Sequence, residues 1–438
     1  MRRPIPAHLD EIIQAQKCGE ARGIPGICSA HPHVLRAAMK RALRDDSPLL
    51  VEATCNQVNQ HGGYTGMTPA AFVAYVRRIA EQEGFPTERL VLGGDHLGPS
   101  VWQNTPADHA MDEAEILVRD FVQAGFTKIH LDASMALGGD GTSRRLEVEL
   151  MARRAARLAR AAEDANPEEQ GASRLRYVIG TEVPIPGGAR EHDEHVAVTT
   201  VVAARETVAA TRRAFEREGL QDAWQRVVAL VVQPGVDFGD EFVLGYDPVK
   251  AGELVRFIEQ EPRLVLEAHS TDYQMVEALG EMVRDHFAIL KVGPALTFAF
   301  REMVFALASI EEELFAGRGS AERSNLSEVL DQAMLREPHH WQSHYRGSPS
   351  ELAVARRYSL SDRARYYWGD PQVQQALETL LRNLRSVHVP LGLLSQCAPD
   401  QYASLRAGKV GEDPEEWISD RIDAVLDDYA KACGIQAA

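Results

Sequence analysis

Four polar knots that end short apolar runs carry side chains able to bind a metal or move a proton. They are Gly94-Asp95-His96-Leu97-Gly98-Pro99, His130-Leu131-Asp132-Ala133-Ser134, Thr181-Glu182-Val183-Pro184 and Glu267-Ala268-His269-Ser270-Thr271-Asp272. Neutral imidazole is the commonest metal ligand at physiological pH, so His96 and His269 are candidate ligands. Glu182 would complete a His/Glu/His set that leaves positions open for substrate oxygens. Asp95, adjacent to His96, is placed to act as acid or base on a substrate held by the same ion, with Glu182 as the alternative base. Asp132 is grouped with the metal set, either orienting a ligand histidine or touching hydroxyls. Each residue also has a plainer reading: Asp95 and Asp132 as helix caps, Glu182 as a paired rim carboxylate, His269 as a hydrogen-bonded core histidine. Their joint occurrence at matching points favours a site.

Other segments suggest what the site would hold. The stretch from Glu52 to Tyr64 is dense in amides, and Asn56 and Gln57 suit a polyhydroxylated ligand. Gln233, before Pro234-Gly235, fits a sugar hydroxyl better than a metal. Ser270, Thr271 and Gly293 fit a phosphate cradle at a helix N-terminus, where many barrels bind phosphate; the alternative is a plain turn. Arg363 and Arg365 lie in the aromatic segment Tyr358–Trp368, in which Ser361 could cap a helix. Guanidinium binds phosphate bidentately, and Arg363 is retained as a ligand contact; the alternative is an aromatic helix with outward arginines. Lys291 reads as structural. No G-x-x-x-x-G-K-[ST] loop occurs, which argues against a nucleotide kinase of that type. Gly138-Gly139-Asp140-Gly141 is too short for a dinucleotide fingerprint.

Residues spread over nearly two hundred positions need a fold that collects strand ends. Apolar runs at Gly23–Cys28, Leu49–Thr54, Leu90–Gly94, Phe126–Asp132, Tyr177–Glu182, Val227–Gln233, Leu264–His269 and Phe287–Val292 read as buried parallel strands. Helical patterns alternate with them, at Pro69–Glu83, Ala110–Ala124, Ser143–Asp164, Val198–Glu218, Pro248–Gln260 and Tyr273–Asp285. Thr68-Pro69 supplies an N-cap and a first-turn proline. This rhythm predicts a (β/α)8 barrel over residues 1–317, whose strands deliver their carboxyl ends to one mouth. Residues 318–438 lose the strand rhythm and predict a helical extension near that mouth. The polar stretch Glu163–Arg174 predicts a loop on the opposite rim.

Composition sets outer bounds. With 438 residues and 45% hydrophobic content, the chain can bury a large core. A formal net charge of -17 argues against a nucleic-acid partner. Five cysteines without a C-x-x-C pair predict reduced thiols in a cytoplasmic protein. No apolar stretch has the roughly 20 residues that span a bilayer, and Met1–Asp10 does not read as a signal peptide.

The quoted knots, together with Gly26-Ile27-Cys28-Ser29-Ala30-His31-Pro32, Lys291-Val292-Gly293-Pro294 and Arg357-Tyr358-Ser359 with Ser361-Asp362-Arg363, resemble one family over nearly the whole chain. It is the non-catalytic-subunit family of class II tagatose-1,6-bisphosphate aldolase, of the galactitol and N-acetylgalactosamine pathway type. The resemblance implies a class II aldolase-type barrel, a divalent cofactor (zinc, manganese or cobalt) and a role in carbohydrate metabolism. In it, Asp95-His96 matches a catalytic aspartate and a metal histidine, and Glu182 and His269 fall where further metal-site residues are expected. Two departures argue against ordinary bisphosphate aldolase chemistry. Gln233 stands where those aldolases carry another histidine, and Ser270-Thr271-Asp272 replaces their glycine-rich phosphate loop. Some relatives interconvert ketohexoses or their 6-phosphates at C4. The resemblance therefore implies either a tagatose/fructose-type 4-epimerase or an accessory subunit that stabilises a catalytic aldolase partner. A homo-oligomer is compatible with both.

Overall fold

The computed structural model describes residues 7–140, 146–166, 173–182, 196–317 and 323–435. The eight apolar runs form β1 (Ile24–Ile27), β2 (Leu49–Thr54), β3 (Leu90–Leu97), β4 (Lys128–Leu131), β5 (Arg176–Ile179), β6 (Val227–Val232), β7 (Val265–Ala268) and β8 (Phe287–Val292). All pair in parallel, and β1 closes on β8 with Ile24 opposite Ile289 and Ile27 opposite Val292. This is a (β/α)8 barrel. Both faces of each strand are covered, one by the interior and one by helices, which explains the near-continuous apolar runs.

The interior is layered, and the two-residue period of a strand sets the layers. At the amino-terminal end Leu50, Val91, Val265 and Ile289 pack with Leu9 and Ile12 of the helix Ala7–Lys17, which plugs the bottom. Two residues further along the same strands stand Glu52, Gly93, Glu267 and Lys291, an ionic layer completed by Lys128 of β4. Lys128 Nζ lies 2.5 Å from Glu52 and 2.8 Å from Glu267, and Lys291 pairs with Glu52. Gly93 is required here, because a Cβ at that position would stand 2.7 Å from Glu52 Oε1. Another step of two delivers Asp95, His130 and His269 to the mouth.

The extension does two things. Its last helix, Pro414–Ala432, packs on the barrel helices Pro32–Arg44, Val276–Arg284 and Pro294–Leu314. Tyr429 donates from its hydroxyl to the Thr271 carbonyl at 2.8 Å. The segment before it covers the mouth. Arg301, inside the helix Pro294–Leu314, donates to Asp362 at 2.6 Å, and Thr297 donates to the other Asp362 oxygen at 2.6 Å. Those bonds hold Asp362 at a φ of 45° and aim the following turn, Arg363–Tyr366, at the barrel axis.

Several expectations need correction. β3 continues through His96 and Leu97, beyond the expected stop at Gly94. A short hairpin, Asp237–Phe238 with Val243–Leu244, follows β6 where no strand was expected. Arg363 and Arg365 lie on a single 3-10 turn; Ser361 does not cap it but donates to Asp240 at 2.8 Å. The expected division at residue 317 follows the end of the long helix at Leu314, while residues 318–322 lie outside the described residues. Among the described residues, no helix is long and apolar enough to cross a membrane.

Candidate active site

Consecutive residues on a strand normally face opposite ways, so Asp95 and His96 should not share a site. A register irregularity between Gly94 and Leu97, in the pairing of β3 with β4, removes the conflict. His96 adopts a φ of 48°, and both side chains reach the mouth. Such a backbone in a non-glycine residue is costly and is characteristic of functional sites. Gly98 then lets the chain pass Asp132, since a Cβ there would come within 1.7 Å of the Asp132 carbonyl oxygen.

Asp95, His96, His130 and His269 offer ligand atoms that all lie within 4.8 Å of one another, and all four residues are buried. His96 Nδ1 lies 2.8 Å from Asp132 Oδ2, and Ser134 donates to the other Asp132 oxygen at 2.6 Å. This chain orients the His96 ring so that Nε2 faces Asp95 at 3.6 Å. His130 Nδ1 lies 2.9 Å from Asp95 and 3.2 Å from the His96 N–H, which donates to it; its Nε2 is buried without a hydrogen-bond partner. His269 Nε2 lies 3.0 Å from Glu267. Lys291 Nζ stands 2.8 Å from Asp95, directly beneath the group.

Electrostatics follow from this packing. Burial opposes ionisation of Asp95, but His96, Lys291 and His269 outweigh it and hold the carboxyl well below the usual range. Burial likewise opposes charge on His96, yet Asp95 and Asp132 raise its pKa above the ordinary value. Burial pushes His269 down to about 3, so its imidazole is neutral at neutral pH. A neutral imidazole at His269, an ionised carboxylate at Asp95 and a histidine oriented by a carboxylate suit a divalent cation that displaces the His96 proton. The residues fit such an ion.

Residues 9–434 match the model of the family described as D-tagatose-1,6-bisphosphate aldolase subunit GatZ/KbaZ-like. The chain belongs to this GatZ/KbaZ-like family. Among solved structures it is similar to a probable tagatose 6 phosphate kinase from Sinorhizobium meliloti 1021, at 47% identity and a TM-score of 0.86, over 94% of this chain and 100% of that one. Looser likenesses include the YdjI aldolase from Escherichia coli K12, at 10% identity and a TM-score of 0.43, over 87% of this chain and 96% of that one. Another is a fructose-bisphosphate aldolase from Campylobacter jejuni, at 12% identity and a TM-score of 0.44, over 88% and 93%.

In this GatZ/KbaZ-like chain Asp95, His96 and His269 form the floor of a cavity of about 470 Å³, and His130 is fully buried beside Asp95. Asn56, Gln57, Ser270, Gly293 and Arg363, all expected from sequence, line it. Gln57 is braced by accepting from the Thr54 N–H at 2.8 Å. Thr271 turns away, donating to the Lys291 carbonyl at 2.6 Å and meeting Tyr429. Glu182 and Gln233 line a separate opening with Ser134 and Thr200, and Glu182 is not one of the four grouped residues. Gln233 accepts from the Gly235 N–H at 2.8 Å. Asp132 reaches the centre through His96. His130 takes the place expected for Glu182; it sits inside an apolar run, where only its two-residue offset from Lys128 signals an inward side chain.

The roof comes from the extension and was mostly missed. Arg365, His339, His340, Ser343, His344 and Tyr366 join Arg363 there. Tyr366 accepts from Arg365 at 2.9 Å and from Arg363 at 3.3 Å, and His340 stacks on its ring at 4.5 Å. Arg363 also lies 2.9 Å from His344 Nδ1. Tyr64, from the loop after β2, packs edge-on against Tyr366 at 4.7 Å.

Proposed function

We propose that this chain is a metal-dependent epimerase that inverts C4 of a ketohexose or its 6-phosphate, of the tagatose/fructose type. The supporting observation is the grouping of Asp95 with His96, His130 and His269, of which Asp95, His96 and His269 line the floor of a sugar-sized cavity. A C2 carbonyl does not acidify the hydrogen on C4, so direct deprotonation there is unfavourable. The C3–C4 bond, by contrast, is placed for retro-aldol cleavage. Zinc, manganese or cobalt held by the three imidazoles would polarise the C2 carbonyl and offset the charge of the enediolate. Asp95 accepts the proton of the C4 hydroxyl. The C3–C4 electron pair moves into the C2–C3 enediolate and C4 becomes an aldehyde. Asn56 and the roof keep this fragment in place while the aldehyde turns about C4–C5. C3 then attacks the opposite face, and Asp95 returns its proton to the new alkoxide. Lys291, 2.8 Å away, keeps Asp95 ionised before the reaction starts.

The test is incubation of purified protein with fructose or tagatose, free or 6-phosphorylated, and a zinc, manganese or cobalt salt in D2O. Interconversion with no deuterium at C4 is expected, because the C4–H bond never breaks. Failure to interconvert any of these sugars with the metal bound overturns the proposal.

Family membership favours a second role, as an accessory subunit that stabilises a catalytic class II tagatose-1,6-bisphosphate aldolase. Co-purification and a longer lifetime of that partner would support it. Retention of this effect in His96→Ala and His269→Ala would separate it from the site chemistry.

A further inference from the structure

The C4 chemistry does not use one buried carboxylate in the cavity, and that group bears on which sugar fits. The 21-residue helix Pro294–Leu314 starts just beyond β8, and its first N–H groups point to where barrels commonly bind phosphate. Here those donors are already taken. Asp272 Oδ1 accepts from Gly293 N–H at 3.0 Å and from Ala295 N–H at 2.8 Å. Asp272 is 3% exposed and lines the cavity beside His269 and Ser270. The chain has put an anion of its own in the barrel's phosphate place.

The roof shows the opposite condition. Other buried arginines near the roof are matched: Arg301 pairs with Asp362 and Arg356 with Asp331, both at 2.6 Å. Among the described residues, Arg363 and Arg365 have no carboxylate oxygen within ion-pair distance. Arg363 is only 6% exposed, and its Nε is buried without a hydrogen-bond partner. Arg365 spends one guanidinium nitrogen on the carbonyls of Ser361 and Asp362. The cavity therefore has one anion place filled from within and one left open.

We propose that Asp272 is a specificity-determining residue: it occupies the place that would receive a phosphate on C1, so the site accepts a ketose with one phosphate, bound by Arg363 and Arg365, and rejects a ketose phosphorylated at both ends. A C1 hydroxyl can donate to the Asp272 carboxylate. A C1 phosphate would meet a like charge where it needs N–H donors. This inference rests on the C4-epimerase reading for the orientation of the sugar, but its test does not depend on turnover.

Calorimetric titration of the metal-loaded protein with fructose 6-phosphate, fructose 1,6-bisphosphate and fructose provides the test. The 6-phosphate should bind at least about tenfold tighter than the bisphosphate, the scale set by one unpaired buried polar contact. Asp272→Ala should shift that ratio about tenfold or more toward the bisphosphate, and Asp272→Asn, which keeps the acceptor but not the charge, should shift it less. Arg363→Met should weaken the 6-phosphate by a several-fold larger factor than fructose. Equal or tighter binding of the bisphosphate by the natural protein overturns the inference, as does an unchanged ratio in Asp272→Ala with a normal melting curve and metal content. Should Asp272→Ala fail to fold, the natural ratio and Asp272→Asn decide. Correct discrimination without epimerisation would sink the C4 reading alone; epimerisation without discrimination would sink only this inference.

Discussion

The floor and the roof of the cavity are built by opposite rules. On the floor nearly every charge faces a partner: Glu52, Glu267 and Asp95 interlock with Lys128 and Lys291, and the imidazoles lean on carboxylates. In the roof, Arg363 and Arg365 gather with three histidines and share only neutral acceptors. A buried ionic layer is costly unless its geometry is rigid, and a closed barrel supplies that rigidity. Two guanidiniums with no carboxylate within ion-pair distance among the described residues suit an anionic ligand. The contrast fits the proposed function, which puts a cation and the reacting carbons at the floor and an anionic end of the substrate at the roof.

The sharpest way to break that division is to damage the floor. His96→Ala or His269→Ala should abolish stoichiometric metal binding and cut C4 interconversion by about 10³-fold, equivalent to several kcal/mol of transition-state stabilisation. Metal analysis and a progress curve measure both. Full activity in a variant that has lost its metal would sever the floor from the chemistry.

A smaller effect is expected one contact further out. Asp132→Asn should weaken metal affinity by about 10–100-fold, because the carboxylate that orients His96 is lost. The pH dependence follows from the same pair. His96 has a raised pKa in the folded protein, held up by Asp95 and Asp132. Its contribution to stability is therefore fully present below the unfolded value of about 6.5 and is lost as pH rises through the folded value. Metal must displace that proton, so affinity should climb over the interval in which the metal-free protein loses this stabilisation. In Asp132→Asn both transitions should move to lower pH. Titration with a metal indicator and parallel melting curves would show whether they move together.

The two regions also differed in how far they could be read from sequence. Strand ends collect at one mouth, so Asp95, His96, His269 and Asn56 could be placed before any coordinates. Glu182 satisfied the same rule, yet β5 ends at Ile179 and Glu182 lines the neighbouring opening. The rule finds a rim, not a radius. His130 opens the second knot but carries no role from sequence alone; its contact with Asp95 forms beside the irregularity in β3, which leaves no mark in composition. The roof obeys no strand rule. Arg363 and Arg365 are aimed by Asp362, which is held by Arg301 some sixty residues earlier. A contact of that span is not visible as spacing, so arginines in an aromatic segment resembled an ordinary surface helix.

The smallest expected effect refines the roof. Tyr366 accepts from both guanidiniums, leaving its own hydroxyl proton free for a third partner, and Arg365 and Arg363 overcome burial to lower its pKa. A phosphate resting on the arginines is the natural acceptor. Tyr366→Phe keeps the ring stacked on His340 and removes only the hydroxyl. KM for a ketose 6-phosphate should rise by about 2–10-fold, the worth of one hydrogen bond, with metal content unchanged. The unphosphorylated sugar is the control that makes the measurement informative. If KM for the free ketose rises by the same factor, Tyr366 serves the shape of the cavity and the roof loses its claim to an anion. If only the phosphorylated sugar responds, the division of labour holds at the level of a single hydroxyl group.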